Sequence, residues 1–448
     1  MSLPSFADLA RGYAGRFPAR FGLRLRLEEL TLDVRSNSEA VADDLRGYFG
    51  NFVEAAPSDT SAPADLEFLL LEAPVQEPPV PLAVKPHAPG KRPDKERFVD
   101  LPGDLPGDLP VGISCEGGGR VVRKQATGML FLFGQGANQA VNNAVDSAPN
   151  SAANIAVNIA ANSAANIAIG PCAANRNQLV NFLCARYMER RLAAGWMLGH
   201  AAGVARPVAQ GGKALALCGF AGMGKSTLAL HLLARGLDFV SNDRVLVEPA
   251  GTDGGQGHGP VLHGIPKHPR LNPGTALGNP ALAPFLALSL EKALPEAARS
   301  AYAGLSPERL RAVEDKFDAN IDSCFGPIHA CSGPVDSCSG PVDPCFGPGG
   351  KGSRFRLAAP LCGVVALNWT HGHGALVARR VDLRERRDLL EALRKPPGVF
   401  YLPQAIAGGA RLTPEQCLEA LDGVPALELS GGADFEAAAS ACEEFLGG

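Results

Sequence analysis

A glycine-rich stretch near the middle of the chain constrains the fold more than any other feature. It fits the pattern G-x-x-x-x-G-K-[ST] in full. The stretch follows a short apolar segment, residues 213–218, that is typical of a strand, and it leads into residues 226–235, which are typical of an amphipathic helix. Gly236 stands where a helix C-terminal cap is expected. A chance glycine-rich turn is the alternative, but the intact order of strand, turn and helix predicts an α/β domain.

The residue types in this stretch suit the binding of a nucleoside triphosphate. Glycines allow backbone N–H groups to turn toward phosphate oxygens, and the amino end of the following helix adds the positive end of its dipole. Lys225 would place a positive charge on the β- and γ-phosphates, and the Ser226 hydroxyl is the expected ligand of Mg²⁺. We therefore expect ATP and Mg²⁺ as cofactors, bound by one continuous set of residues: Gly219, Phe220, Ala221, Gly222, Met223, Gly224, Lys225, Ser226 and Thr227.

An acidic residue follows the next predicted strand. Residues 237–240 read as a strand that ends at Ser241-Asn242-Asp243-Arg244. Because adjacent parallel strands present their carboxyl ends on one edge of a sheet, we expect Asp243 to lie beside the γ-phosphate. There it can bind Mg²⁺ or accept a proton from an attacking hydroxyl. No later apolar run ends in Asp as a Walker B strand does, which favours Asp243 over the alternative of a turn aspartate that caps local backbone.

These residues resemble the catalytic core of HPr kinase/phosphorylase, a bacterial protein kinase built on a phosphate loop. In that family a His-Gly pair precedes the loop, an Arg-Gly pair follows its helix, and the next strand ends in Asp-Asp. Here the corresponding pairs are His200-Ala201, Arg235-Gly236 and Asn242-Asp243. The sequence is most similar to the group called HprK-related kinase B. The resemblance extends over about residues 120–401, and it includes segments 177–204, 267–275, 367–369 and 383–401.

The resemblance implies a PEP-carboxykinase-like P-loop kinase core and transfer of the γ-phosphoryl group from ATP to a Ser or Thr hydroxyl of a protein. It assigns catalytic roles to Lys225 and to Asp243, the second Asp of the pair, which is also a candidate metal ligand. It places His200 near the phosphates or Asp243, and it makes Arg270 the counterpart of a family arginine. Asn242 replaces the first Asp, so the reverse phosphorylase reaction is not expected. The resemblance also favours a homo-oligomer.

Patterns elsewhere predict two domains and two inserts. Residues 1–135 are predicted to form a smaller α+β domain, with strands at 23–34 and 66–72, a helix at 38–52 and a hairpin at 119–133. Residues 136–176 are a low-complexity insert in which NSAANIA occurs twice, and residues 177–448 hold the nucleotide-binding domain. A second insert, residues 324–352, has cysteines every seven residues. It lacks the close pairs that a structural zinc site requires, so we interpret it as a repeated loop.

Composition limits the partners and the compartment. The formal net charge is −4, and the chain has two Trp and five Tyr, so it shows neither the broad basic face nor the aromatic platform expected of a nucleic-acid-binding protein. Residues 147–175 are uncharged and long enough to cross a bilayer, but their many Asn and Ser residues argue against a membrane helix. The first thirty residues contain no apolar signal region, which predicts a cytoplasmic protein.

Three functions remain open from the sequence. The first is a protein kinase with an unidentified acceptor protein. The second is a small-molecule kinase with the same core, because phosphate-loop chemistry does not dictate the acceptor. The third is a nucleotide-binding regulator with little catalysis, in which Asn242 marks the loss of an acidic group.

Overall fold

The chain is a mixed α/β protein that divides into two compact units. The computed structural model describes residues 6–54, 63–76, 83–84, 98–100, 119–134, 166–253, 256–313, 316–326, 353–370, 374–402 and 412–447. The first unit comprises Met1–Arg190 and Gly398–Ile406, and the second comprises Arg191–Pro397 and Ala407–Gly448. Each unit contains helices and a mixed sheet. Among the residues described, no helix combines the length and apolar character needed to cross a bilayer.

The first unit is built on an eight-stranded sheet. Its elements are α1 (Phe6–Arg16), β1 (Phe21–Leu27), β2 (Leu30–Ser36), α2 (Glu39–Phe49), β3 (Leu66–Glu72), β4 (Ala83–Val84), β5 (Phe98–Asp100), β6 (Gly119–Lys124), β7 (Met129–Gly134), β8 (Asn166–Gly170) and α3 (Arg176–Ala193), whose last residues belong to the second unit. The strand order is β1-β2-β3-β8-β7-β6-β5-β4. Strands β2, β3 and β8 are parallel, and the other neighbours are antiparallel.

Two predictions for this unit need correction. Residues 23–34 form a hairpin, β1 and β2, rather than one strand, because Glu28 adopts a left-handed conformation (φ 57°) and reverses the chain. Residues 166–170, predicted as part of the low-complexity insert, form the fully buried strand β8. The second copy of the repeat supplies this strand, since Ile167 and Ile169 pack into the core while Asn166 accepts a hydrogen bond from Arg186 (2.7 Å).

Other predictions for this unit are confirmed. Strand β3 covers residues 66–72, and β6 with β7 forms the hairpin expected at 119–133. The expected helix is α2, where the Ser38 side chain accepts a hydrogen bond from the Val41 N–H group and caps the first turn. The sequence placed the limits of the domains at 135 and 177, whereas the boundary between the two compact units falls after Arg190. Most of both inserts, residues 136–165 and 327–352, lies outside the described residues.

The second unit is built on a nine-stranded sheet, and the unit also contains two separate sheets of two strands each. Its strands are β9 (Met197–Gly199), β10 (Ala201–Ala205), β11 (Ala214–Gly219), β12 (Asp238–Ser241), β13 (Val245–Glu248), β14 (Gly251–Asp253), β15 (Gln256–His258), β16 (Val261–His263), β17 (Arg270–Leu271), β18 (Phe317–Asp318), β19 (Ala358–Thr370), β20 (Leu376–Val381) and β21 (Ala426–Gly432). Its helices are α4 (Lys225–Ala234), α5 (Pro273–Leu277), α6 (Ala283–Ala293), α7 (Glu296–Ala303), α8 (Pro307–Ala312), α9 (Ile321–Phe325), α10 (Arg387–Leu393), α11 (Pro414–Ala420) and α12 (Phe435–Gly447). Strands β14 and β15 form a separate two-stranded sheet, as do β17 and β18.

The order of strands in the main sheet places the functional residues. It runs β12-β10-β11-β19-β16-β13-β9, and β21 with β20 continues from β19. Strands β11, β19 and β21 are parallel, whereas β10 is antiparallel to both of its neighbours, β11 and β12. Strands β11 and β12 therefore run in the same direction with β10 between them. The carboxyl ends of β11, β12, β19 and β21 meet at one edge, and β10 begins at that edge.

Candidate functional site

The glycine-rich loop, Gly219–Ser226, connects β11 to α4. Gly219, Gly222 and Gly224 have positive φ angles, of 148°, 85° and 85°. A Cβ atom at Gly224 would lie 2.7 Å from the Phe435 ring, and one at Gly219 would lie 2.8 Å from the Leu367 carbonyl oxygen. A side chain at either position would therefore both strain the backbone and collide with its neighbours. Gly224 is the N-cap of α4, and it provides no side-chain cap for the first N–H groups of the helix.

Two polar side chains of α4 interact at the loop. The Lys225 ammonium donates hydrogen bonds to the backbone carbonyls of Gly219 (2.7 Å) and Phe220 (3.1 Å). Burial lowers the pKa of Lys225, while the negative charge of Asp243 partly offsets that effect. The Ser226 hydroxyl donates to the Asn242 side-chain oxygen at 2.6 Å. The first turn of α4 is thereby joined to the residues that follow β12.

Asp243 lies at the same edge among three basic side chains. Its Oδ1 atom is 3.4 Å from His200 Nε2 and 3.7 Å from Lys395 Nζ, and its Oδ2 atom is 3.8 Å from Arg244 Nε. Burial opposes ionisation of this carboxyl. The hydrogen bond from His200 and the charges of Lys395 and Arg244 outweigh it, and they hold the pKa of Asp243 well below its usual range. The side chain is nevertheless 55% exposed, so a solute can reach the carboxylate.

The backbone at Asp243 is itself unusual. Its φ angle is 68°, and Asp243 and Glu28 are the two non-glycine residues with positive φ in the described part of the chain. Left-handed residues of this kind cluster at functional sites, where surrounding contacts maintain the strained conformation. Asp243 comes shortly after the end of β12. In this conformation Asn242 contacts Ser226 and Asp243 contacts His200.

The order of strands in the sheet explains why Lys225, His200 and Asp243 lie at one edge, but that order differs from the expected one. The sequence predicted that the strands before Lys225 and Asp243 are adjacent, but β10 lies between them. Since β10 is antiparallel to both, its amino end shares the edge with their carboxyl ends, and His200 immediately precedes β10. The expected proximity of His200 to Asp243 is thus present in the structure.

A segment distant in sequence also reaches this edge. The His200 N–H group donates to the Leu393 carbonyl (2.5 Å), and Gly199 forms an isolated β-bridge with Arg394. These contacts carry Lys395 to Asp243. A Cβ atom at Gly199 would lie 2.9 Å from the Val245 side chain, so glycine permits this close approach. Sequence reasoning missed Lys395, because nothing near it signals proximity to Asp243. The sequence analysis also missed Arg244, although its position directly after Asp243 in the sequence could have indicated a contact with that carboxylate.

The remaining predicted residues are placed differently. Phe220 is 49% exposed on the glycine-rich loop, and Thr227 lies in the first turn of α4. Arg270 lies on the short strand β17, where its Nε atom is 3.4 Å from Asp318 Oδ1. No described contact joins Arg270 to Lys225, His200 or Asp243. Its catalytic role stays a prediction.

The donor atoms at this edge suit Mg²⁺ shared with phosphate. The Ser226 hydroxyl and the Asp243 carboxylate are oxygen donors, which this ion prefers, and Mg²⁺ takes its other ligands from phosphates and waters. Within the described residues, no cluster of three or more His, Cys, Asp or Glu side chains is arranged to hold a metal. The oxygen donors of Ser226 and Asp243 fit an ion that takes its remaining ligands from phosphate and water.

Two aromatic side chains support the loop from the ends of neighbouring elements. Trp369, 1% exposed near the end of β19, donates its indole N–H to the Met223 carbonyl at 2.9 Å. Its ring packs edge-on against Phe435, the first residue of α12, with centroids 5.3 Å apart. Phe435 also lines a cavity of about 640 Å³ together with His231, Asn279 and others. The Phe435 ring thus packs beside the glycine-rich loop and also lines this cavity.

Replacement of Trp369 by phenylalanine tests this support. Because the Met223 carbonyl loses its indole donor, we expect the free energy of unfolding to fall by about 1–2 kcal/mol. We also expect weaker ATP binding in calorimetric titration. Trp196→Phe is the matched control, since Trp196 is the other tryptophan and lies 4.2 Å from His263 in a different part of the unit. Equal ATP affinity of the two variants would contradict a role for Trp369 in holding the loop.

The structure is that of a mixed α/β protein in which a glycine-rich loop and the Asp243 carboxylate lie at one sheet edge. No model of a known protein family matches the sequence, and no curated protein is significantly similar to it. The residues of the site themselves must therefore support any functional assignment.

Proposed function

We propose that this chain is a kinase with a PEP-carboxykinase-like P-loop core that transfers the γ-phosphoryl group of ATP to a Ser or Thr hydroxyl of a partner protein. The glycine-rich loop carries the proposal, because its motif is complete and it joins a buried strand to a helix whose first turn holds Lys225 and Ser226. The adjacent Asp243 supplies the acidic group that transfer to a hydroxyl requires.

Each residue of the site has its own role in phosphoryl transfer. The N–H groups at the start of α4 and the Lys225 ammonium bind the β- and γ-phosphates. Ser226 and Asp243 would hold Mg²⁺, which neutralises charge on the phosphate oxygens when it is bound. The acceptor oxygen forms a bond to the γ-phosphorus while the bond from that phosphorus to the bridging oxygen breaks. ADP leaves with the electron pair. The hydroxyl proton passes to Asp243 late in the step, when the new bond to phosphorus has made that proton more acidic than the Asp243 carboxyl, and His200, 3.4 Å away, orients the carboxylate.

Labelling with γ-labelled ATP and Mg²⁺ in a lysate of the source organism tests the proposal. The purified protein should label a protein band, and Lys225→Ala should abolish that label because it removes the cation from the phosphates. Lys213→Ala is the matched control, since Lys213 is an exposed lysine just before β11, at the strand end opposite the loop.

The fate of the label distinguishes the acceptors. Label that depends on Lys225 but passes a size filter would identify a small-molecule kinase and contradict a protein acceptor. A lysate in which the unmutated protein transfers no label to any fraction would contradict kinase activity of either kind.

A nucleotide-binding regulator is the second candidate, and Asn242 favours it. An amide rather than a carboxylate accepts the hydrogen bond from Ser226, so the site has one acidic group fewer than the kinases that it resembles. Calorimetry would then show ATP binding without ADP production. Asn242→Asp restores the missing carboxylate, and a gain of turnover in that variant would show that the amide restrains catalysis.

A further inference from the structure

Lys395 is a second lysine at the carboxyl edge of the sheet. Its Nζ atom is 3.7 Å from Asp243 Oδ1, the same oxygen that lies 3.4 Å from His200 Nε2. The side chain is 24% exposed, so its stem is largely covered while its ammonium meets the carboxylate. Burial is the main cause of the lowered pKa of Lys225, and the positive charge of Lys395 adds to it. Two ammonium groups thus act on one small region beside the glycine-rich loop.

Lys395 is held in position because the backbone around it is packed against neighbouring elements. It follows α10, where Leu389, Leu390 and Leu393 are each 1% exposed. Leu393, the last residue of the helix, accepts the His200 N–H group, and Arg394 pairs with Gly199. The elements that position His200 therefore also position Lys395, and both reach Asp243.

We propose that Lys395 binds the transferred phosphoryl group, which it approaches from the Asp243 side while Lys225 binds the phosphates from the loop. The inference rests on the proposed kinase function, since Asp243 is there the group that meets the acceptor hydroxyl. An ammonium 3.7 Å from that carboxylate would lie next to the reacting phosphorus when the acceptor hydroxyl meets Asp243. Charge-assisted N–H donors aimed at a transferring phosphoryl group stabilise the negative charge on its three outer oxygens.

Lys395 takes no part in the bond changes of the step. The acceptor oxygen bonds to the γ-phosphorus, ADP leaves with the electron pair of the broken bond, and the hydroxyl proton goes to Asp243. The Lys395 ammonium keeps its proton and donates hydrogen bonds to the γ-phosphate oxygens throughout. It consequently distinguishes nucleotides that carry a γ-phosphate from those that do not.

Affinities for ATP and ADP, measured by calorimetry, test the proposal together with turnover. Lys395→Met keeps the apolar stem but removes the charge, and we expect about tenfold weaker ATP binding with unchanged ADP binding. Turnover should fall by about 10²- to 10³-fold. Lys395→Arg should keep most of the preference for ATP, because it keeps the positive charge. Lys213→Met is the matched control and should behave as the unmutated protein does.

The outcomes separate this inference from the proposed function. An equal loss of ATP and ADP affinity in Lys395→Met would overturn the inference, because a residue that only supports the loop affects both nucleotides. Turnover and ATP affinity equal to those of Lys213→Met would also overturn it, while the kinase proposal would stand. Failure of the unmutated protein to bind ATP would overturn both. Lys395→Gln provides a second neutral side chain for the same comparison if the methionine variant does not fold.

Discussion

Replacement of Asp243 by asparagine is expected to lower turnover by about 10²- to 10⁴-fold while ATP binding is largely kept. The amide has nearly the same shape as the carboxylate, but it cannot accept the acceptor's proton and brings no negative charge to Mg²⁺. Asparagine also tolerates the left-handed conformation that Asp243 adopts (φ 68°), so the backbone is not strained further. The effect therefore reports on chemistry rather than on folding.

Steady-state phosphoryl transfer and calorimetric ATP binding check this expectation. Asp422→Asn is the matched control, because Asp422 is an exposed carboxylate, 75% accessible, that pairs with Arg384 on the surface of the same unit. Its turnover should equal that of the unmutated protein. If Asp243→Asn retained full turnover, Asp243 would be neither the base nor a necessary metal ligand. Asp243→Ala would be a poorer test, since alanine adopts positive φ less readily than asparagine does.

Replacement of Glu189 by alanine is expected to lower the free energy of unfolding of the first unit by about 3–5 kcal/mol. Glu189 and Arg186 lie one turn apart on α3, with a 2.6 Å ion pair and side chains only 6% and 5% exposed. Burial lowers the pKa of Arg186 and raises the pKa of Glu189, and their mutual attraction opposes both shifts. Removal of the carboxylate leaves a buried guanidinium without its charged partner.

Urea denaturation measures this effect. Asp43→Ala is the matched control, because Asp43 forms an exposed i,i+3 ion pair with Arg46 on α2 and should change stability by no more than about 1 kcal/mol. The Glu189 carboxylate also accepts the Leu402 N–H group at 2.5 Å, and that backbone donor would lose its partner as well. Similar unfolding midpoints for the two variants would contradict the importance of the buried pair.

Local patterns predicted the elements that carry their own signal. The strand before the glycine-rich loop, the helix after it and the hairpin at 119–133 form as expected, because their apolar periodicity and glycine positions act over a few residues. Residues 382–394 have the charged pattern of one helix, but α10 covers only Arg387–Leu393, because Asp382 accepts the Arg384 N–H group in the turn that comes before the helix. Strand β8 was missed because its alternation of apolar residues is hidden within a compositional repeat.

The sequence by itself determined the glycine-rich loop with Lys225 and Ser226 at its end, because the motif requires those residue types in adjacent positions. Only the tertiary structure decided what surrounds Asp243. The insertion of antiparallel β10 between β11 and β12 brings His200 to the edge, and the pairing of Gly199 with Arg394 brings Lys395. Such contacts join residues far apart in the chain, and they depend on strand order and close packing, which no local pattern of residues encodes.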